Sequence, residues 1–181
     1  PNIQNWENRL SALGHKVVTF DFKKPYNKME RLVSTYQAVI DETIQKYKGY
    51  KLVLIGTSMG SRVSIHLSNM NSLPSSCSHI IALGYPLFAK RKTGNVVRDT
   101  PLLEFINSTD AQLTQARLLL ISGSKDHMAP KDAMDTFYEK VRRKKVGSKQ
   151  KCELHWIEGG NHSLKVGKRH PISQNEVDQN V

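Results

Sequence analysis

The chain has 181 residues, of which 38% are hydrophobic and 24% are charged; this composition excludes a disordered polymer, and the length argues against a multidomain enzyme. The net charge of +11 is compatible with anionic partners but selects none of them, and two cysteines, Cys77 and Cys152, are too few for a disulfide framework. No apolar run approaches the roughly 18 residues of a membrane-spanning helix, and residues 1–6 do not resemble a secretory signal. We therefore expect no membrane association and a cytoplasmic protein, with the nucleus as the alternative compartment.

The first half of the chain alternates between helical and extended patterns. Apolar residues recur at helical spacing up to Gly14 and predict a helix over 3–13. The β-branched and aromatic run 16–22 (KVVTFDF) predicts a strand. Apolar residues at spacings of three and four then predict a helix over 27–47, and the continuous apolar run 51–56 (KLVLIG) predicts a buried parallel strand.

The second half continues this alternation. A helix is predicted over 61–70, and apolar runs predict strands over 79–85 (HIIALGY) and 117–122 (RLLLIS). A helix over 130–144 begins with a proline, which suits a first helical turn, and 151–157 (KCELHWI) alternates as an outer strand does. Strands that alternate with helices predict an α/β fold with a mostly parallel sheet and helices on both faces.

Two polar stretches interrupt the predicted single domain over 1–181. Residues 87–100 (LFAKRKTGNVVRDT) are predicted to form a basic, irregular loop, and a loop of that length is usually functional or mobile. The basic run at 142–145, with Lys149 and Lys151, is interpreted as a solvated face near a helix end. It lacks the interleaved aromatic residues of a nucleic-acid surface, so nucleic acid is a disfavoured partner.

Residues 56–60 (GTSMG) match the G-x-S-x-G motif and lie between a predicted strand and a predicted helix. In this context the serine sits on a sharp, strained turn, and we expect both glycines to be needed because strand and helix close upon it. Ser58 would then project at the carboxyl end of the sheet, where open α/β folds bind their ligands. The motif identifies Ser58 as the candidate nucleophile.

A serine nucleophile needs a base, and the base needs an orienting acid. Asp126 follows the strand 117–122, and His162 follows the strand 151–157, which gives the order Ser, Asp, His of an α/β-hydrolase. His162 is the predicted general base, and Asp126 would hold its tautomer.

Alternatives to each assignment remain open at this stage. Ser58 could belong to a simple tight turn, and Asp126 could be a turn residue or helix cap. Asp21 and Glu158 are competing acids, and His127 is a competing base. No cysteine or histidine spacing indicates zinc, and no phosphate-binding loop is present, so no metal and no cofactor are predicted.

Five segments together resemble, in the same order, an α/β-hydrolase-like family that contains plant members and a testis-expressed animal protein. This family is related to subunit three of the chromatin NSL complex, its plant members match more closely, and dienelactone hydrolases are more distantly similar. The segments are GTSMGSRVS (56–64), LGYPL (83–87), VRDTPLL (97–103), ISGSKDHMAP (121–130) and IEGGNHSLKVGKRH (157–170).

The resemblance implies an α/β-hydrolase fold with Ser58, Asp126 and His162 in the triad positions and the Met59 N–H as a donor of the oxyanion hole. In that family a strand with a His-Gly-x-Gly type loop precedes the first helix. The present sequence begins after that point and stops where the last helix is expected. We therefore expect a domain that lacks the N-terminal strand or strands and the C-terminal helix, with the remaining strands as neighbours in one sheet.

Two main hypotheses of function follow from the sequence. The first is a serine hydrolase of the esterase or acyl-hydrolase type that acts on a small ester or amide. The second is a non-catalytic hydrolase-fold scaffold or regulatory subunit in a protein complex, as the chromatin relative suggests. A third hypothesis, less favoured than these two, is that the basic surface binds an anion or nucleic acid.

Overall fold

The structure of the protein is a computed structural model. The residues it describes are 3–26, 28–70, 73–91, 94–108, 115–146, 149–168 and 170–179. The predicted start of the second helix at Asn27 and residues 92–93 of the predicted irregular loop lie outside these ranges.

Within the described ranges the chain forms six helices and eight strands. In chain order they are α1 (Ile3–Ala12), α2 (Met29–Lys46), β1 (Leu52–Thr57), α3 (Met59–Asn69), β2 (Cys77–Leu83), β3 (Phe88–Arg91), β4 (Gly94–Val97), α4 (Thr100–Asn107), β5 (Arg117–Gly123), α5 (Lys131–Val141), β6 (Lys145–Val146), β7 (Lys149–Gln150), β8 (Cys152–Ile157) and α6 (Gln174–Gln179).

The central sheet confirms the predicted parallel architecture. Its four strands lie in the order β1, β2, β5, β8, and each pairs in parallel with its neighbour. Parallel strands require crossover connections, which the intervening helices supply. All four strands therefore direct their carboxyl ends to the same edge of the sheet, and β8 is an outer strand as predicted.

Two hydrophobic clusters cover the two faces of this sheet. Alternate residues of a strand point to opposite faces. On β5, Leu118 and Leu120 join the larger cluster, to which α2, α3, α4 and α5 contribute, whereas Ile121 joins the smaller one. Trp6 of α1 and Val177 of α6 pack in the smaller cluster. The chain thus forms a last helix in the region where the sequence predicted none.

The predicted strand over 16–22 is wrong, because this segment pairs with no described strand. Its aromatic side chains instead pack on α2, where the Tyr36 ring lies 5.0 Å from that of Phe20 and 6.2 Å from that of Phe22. A strand is stabilised by hydrogen bonds to a neighbour, and β-forming residues alone do not supply one. The expectation that all five predicted strands are neighbours in the sheet therefore fails at this segment.

The predicted irregular loop at 87–100 is more ordered than the sequence indicated. It contains the antiparallel hairpin of β3 and β4, and α4 begins at its last residue. The Phe88 N–H donates to the Met128 carbonyl at 2.8 Å, and this bond ties the hairpin to the loop that follows β5. Sequence analysis also missed α4, whose buried residues are Leu102, Phe105 and Ile106.

The interpretation of the basic run as a solvated face is wrong at Lys151, because only 2% of this residue is exposed. Its ammonium donates to the Ala116 carbonyl and lies 4.1 Å from the centre of the Phe105 ring. Burial lowers the pKa of Lys151 to about 8. The charged form is therefore less stable in the folded protein than in the unfolded chain.

We predict that Lys151→Met changes how stability depends on pH. Between pH 8 and 10.5 the unfolded lysine holds its proton more firmly than the folded one, so the wild type gains stability as the pH rises. The stability of Lys151→Met relative to the wild type should therefore fall by about 3 kcal/mol across this interval. Urea unfolding at a series of pH values measures this difference.

Lys149→Met is the matched control, since Lys149 is exposed and lies two residues earlier. Its stability difference from the wild type should stay flat over the same interval. A flat difference for Lys151→Met as well would show that Lys151 stays charged in the folded protein.

Among the described residues, no helix combines the length and the apolar character that crossing a membrane requires.

Candidate active site

Ser58 occupies the sharp turn between β1 and α3. Its backbone has φ 47° and ψ −105°, a region that residues other than glycine rarely adopt. Such a conformation costs about 1–3 kcal/mol and persists only where the surrounding structure enforces it. One such constraint is the hydrogen bond from the Ser58 N–H to the Leu83 carbonyl at the end of β2, with a length of 2.9 Å.

The close approach of strand and helix requires glycine at one of the two motif positions. A Cβ atom on Gly56 would lie 2.4 Å from the Gly60 carbonyl carbon and 2.5 Å from the Ser61 nitrogen, both of them backbone atoms. A Cβ atom on Gly60 would meet nothing within 4 Å among the described atoms. The expectation that both glycines prevent a clash therefore holds for Gly56 only.

His162 reaches Ser58 from the loop after β8. Its Nε2 lies 2.8 Å from Ser58 Oγ, across 104 residues of sequence. The loop passes close to the end of β2, where a Cβ on Gly84 would lie 2.5 Å from the His162 carbonyl oxygen. Gly84 also has φ +59°, so both its backbone and its surroundings favour glycine. The absence of a side chain at Gly84 therefore lets the histidine loop lie close to the end of β2.

Asp126 lies on the other side of His162. Its Oδ2 is 2.8 Å from His162 Nδ1, and its side chain is fully buried. Its second carboxylate oxygen accepts the Met128 N–H at 2.7 Å, which orients the carboxylate. Asp126 does not cap the following helix, because α5 begins at Lys131 with Pro130 in the capping position. The structure therefore brings together the three residues that the sequence singled out.

The competing residues do not contact His162 within hydrogen-bond distance in the described part of the chain. Glu158 is exposed and accepts the Ser124 hydroxyl at 2.9 Å, and Asp21 is exposed. The exposed His127 ring has its centre 6.3 Å from that of His162.

Met59 follows the serine and is the first residue of α3. An N–H in the first helical turn has no acceptor within the helix, so this donor is available beside Ser58. The amino end of a helix also carries partial positive charge, which favours a developing anion. The role of the Met59 N–H as an oxyanion donor stays a prediction.

Sequence analysis missed a charged group beside this turn. Arg62 is half-buried on α3, and its guanidinium lies 3.6 Å from the Met59 sulfur. The spacing of four residues from Ser58 is the signal that could have found it, because such residues share one helix face.

No group of three or more His, Cys, Asp or Glu residues within the described ranges could hold a metal ion.

Comparison with known proteins gives one family and a set of similar structures. The model of the family described as "Alpha/beta hydrolase domain" matches residues 1–181. An alpha-beta serine hydrolase homologue from Coxiella burnetii is 15% identical with a TM-score of 0.58, and the match covers 98% of this chain and 71% of that protein.

Two further solved structures are similar at comparable levels. A monoacylglycerol lipase from Paleococcus ferrophilus is 14% identical with a TM-score of 0.60, covering 87% of this chain and 79% of the lipase. The esterase domain of a Rhodothermus marinus protein is 15% identical with a TM-score of 0.59, covering 90% of this chain and 71% of that domain. At these identities the likeness shows a shared fold.

Proposed function

The chain belongs to the alpha/beta hydrolase domain family, and from this premise we propose that it is a serine hydrolase of the esterase or acyl-hydrolase type. The observation that carries the proposal is the continuous relay from Ser58 Oγ to His162 Nε2 and from His162 Nδ1 to Asp126, with 2.8 Å at each step. The proposed substrate is a small ester or amide. The names of two similar structures, an esterase domain and a monoacylglycerol lipase, agree with ester substrates.

In the first step Ser58 attacks the substrate carbonyl carbon. Its hydroxyl donates to His162 Nε2, which takes the proton as the new oxygen–carbon bond forms. The carbonyl oxygen gains the electron pair of its π bond, and the Met59 N–H donates to it. The imidazolium that results is stabilised by the buried Asp126 carboxylate.

In the second step the tetrahedral intermediate collapses. The imidazolium gives its proton to the leaving alcohol or amine, and the acyl group stays on Ser58. Water then attacks the acyl-enzyme, with His162 as base again, and releases the acid. Each step uses one proton site, His162 Nε2, because Nδ1 remains hydrogen-bonded to Asp126.

We predict that a fluorophosphonate probe labels the protein covalently at Ser58. The probe reacts only with an activated serine, and the bond to His162 supplies that activation. Mass spectrometry of the labelled peptide identifies the modified residue. Ser58→Ala should abolish labelling, whereas Ser163→Ala, which removes an exposed serine next to His162, should not. Equal labelling of Ser58→Ala and the wild type would contradict the proposal.

The five sequence motifs further support placement in the subgroup of the testis-expressed protein and NSL subunit three. The NSL relative suggests the second function, that of a scaffold or regulatory subunit. A stable complex that survives Ser58→Ala, together with an absence of labelling, would favour that function. The buried Asp126 and the strained Ser58 favour hydrolysis, because a scaffold has no use for either.

A further inference from the structure

Arg62 is a half-buried positive charge on α3, four residues after Ser58. Side chains on a helix lean toward its amino end, so Arg62 extends over the turn that carries Ser58 and Met59. A contact of 3.6 Å between its guanidinium and the Met59 sulfur agrees with this direction. The buried Tyr85, which follows β2 at the carboxyl edge of the sheet, lies near enough to interact electrostatically with it.

The guanidinium of Arg62 has strong donors, but the Met59 sulfur that it contacts is a weak acceptor. Among the described residues no carboxylate oxygen lies within 4.0 Å of the Arg62 guanidinium nitrogens. The thioether sulfur of Met59 is a weak acceptor for a group with five N–H donors. Partial burial lowers the pKa of Arg62 by desolvation, yet an arginine stays charged at neutral pH.

The other titratable groups around Arg62 act at longer range, among them Glu104 and Glu30 on His66, and Arg98 and Asp99 on Tyr85. His66, one turn further along α3, has its pKa lowered by burial and by Arg62 itself, and so stays neutral at pH 7. Glu104 accepts a hydrogen bond of 3.0 Å from the Asn69 amide and makes no ion pair with Arg62. One fixed, half-buried positive charge is complementary to one negative charge, and a planar guanidinium matches a carboxylate.

We propose that Arg62 is a specificity-determining residue that binds a carboxylate of the substrate, so that the preferred substrates are esters or amides with one free carboxylate near the scissile bond. This inference rests on the proposed function, since it concerns the substrate of that same site. The positive end of α3 adds to the attraction for a negatively charged ligand.

The test compares charged and uncharged esters of the same shape. Para-nitrophenyl esters of succinate and glutarate carry one free carboxylate, and their methyl esters are the uncharged counterparts. We expect the wild type to prefer the charged esters in kcat/KM. Arg62→Gln should lower the ratio of charged to uncharged kcat/KM by about 10- to 100-fold, the usual value of a charge-assisted hydrogen bond. Arg62→Lys should restore part of that ratio.

Arg31→Gln is the matched control, because Arg31 is exposed on α2 and its loss changes the net charge equally. Its ratio should equal that of the wild type. An equal fall of both rates in Arg62→Gln would overturn the inference, since a residue that only positions Met59 would act on both esters alike. If Arg62→Gln fails to fold, inhibition of the wild type by free monomethyl glutarate but not by dimethyl glutarate is the expected result, and equal inhibition overturns the inference.

The two proposals fail in different ways. A wild type that is labelled at Ser58 and prefers the uncharged esters overturns the inference about Arg62 alone. A wild type that is not labelled and hydrolyses no ester overturns the proposed function and this inference with it.

Discussion

Replacement of His162 by alanine is expected to lower kcat for ester hydrolysis by about a million-fold, the size of the loss when the base of a serine triad is removed. His162 Nε2 lies 2.8 Å from Ser58 Oγ, and no other base lies within hydrogen-bond distance of that oxygen in the described part of the chain. Without the imidazole, the serine proton has no acceptor as the bond to the substrate forms. Initial rates with a para-nitrophenyl ester, followed by release of nitrophenol, measure the change.

His127→Ala is the control for this variant. His127 is the nearest competing base, but it is exposed and its ring centre lies 6.3 Å from that of His162. We expect its rate to stay close to that of the wild type, with unchanged thermal unfolding in both variants. A large loss in His127→Ala with a small one in His162→Ala would assign the base to His127.

Asp126→Asn is expected to lower kcat by about ten-thousand-fold while the fold is retained. The carboxylate accepts a hydrogen bond from the N–H at His162 Nδ1, which leaves Nε2 without a proton and free to accept that of the serine. An amide nitrogen in its place would donate to Nδ1 and move the ring proton to Nε2, where it faces Ser58. The amide oxygen can still accept the Met128 N–H, so the local turn should survive.

Glu158→Gln and Asp21→Asn are the matched controls, because both remove a competing carboxylate from an exposed position. The kcat values of all three variants, measured as a function of pH, separate the acids. If Glu158→Gln showed the large loss and Asp126→Asn did not, Asp126 would have only the turn-forming role that its bond to Met128 provides.

The proximity of the three candidate site residues could be predicted from the sequence because of how a parallel sheet is built. Ser58, Asp126 and His162 each follow a short apolar run, and the ends of parallel strands meet at one edge. The hydrophobic pattern therefore placed them near one another before any distance was known. The labelling and rate measurements proposed above would test their catalytic roles.

Features that depend on distant partners could not be predicted in this way. Residues 16–22 have the composition of a strand, but a strand needs a neighbouring strand to pair with. The aromatic rings of this segment pack against Tyr36 of α2 instead. The sequence around Lys151 indicates a surface residue in a basic run. Its partners, Phe105 and Ala116, lie 35 or more residues away in the sequence. A residue's charge alone does not reveal such surroundings.

The hairpin of β3 and β4 was hidden for a different reason. Each strand has four residues, and among the described strands each pairs only with the other. Strands this short leave no apolar run in the sequence. Arg62 was overlooked because an arginine on a helix is usually solvated, and its burial against Met59 depends on the turn at Ser58.

The backbone of Ser58 has an evolutionary consequence. Its positive φ lowers the stability of the folded chain, whereas glycine adopts this conformation without that cost. Most proteins are only slightly more stable than their function requires. A lineage in which this position had lost its role would gain by exchanging the serine for a residue that tolerates the turn. Selection for folding alone therefore acts against the side chain found here, and a serine held in this conformation is the mark of a chain selected for something besides its fold.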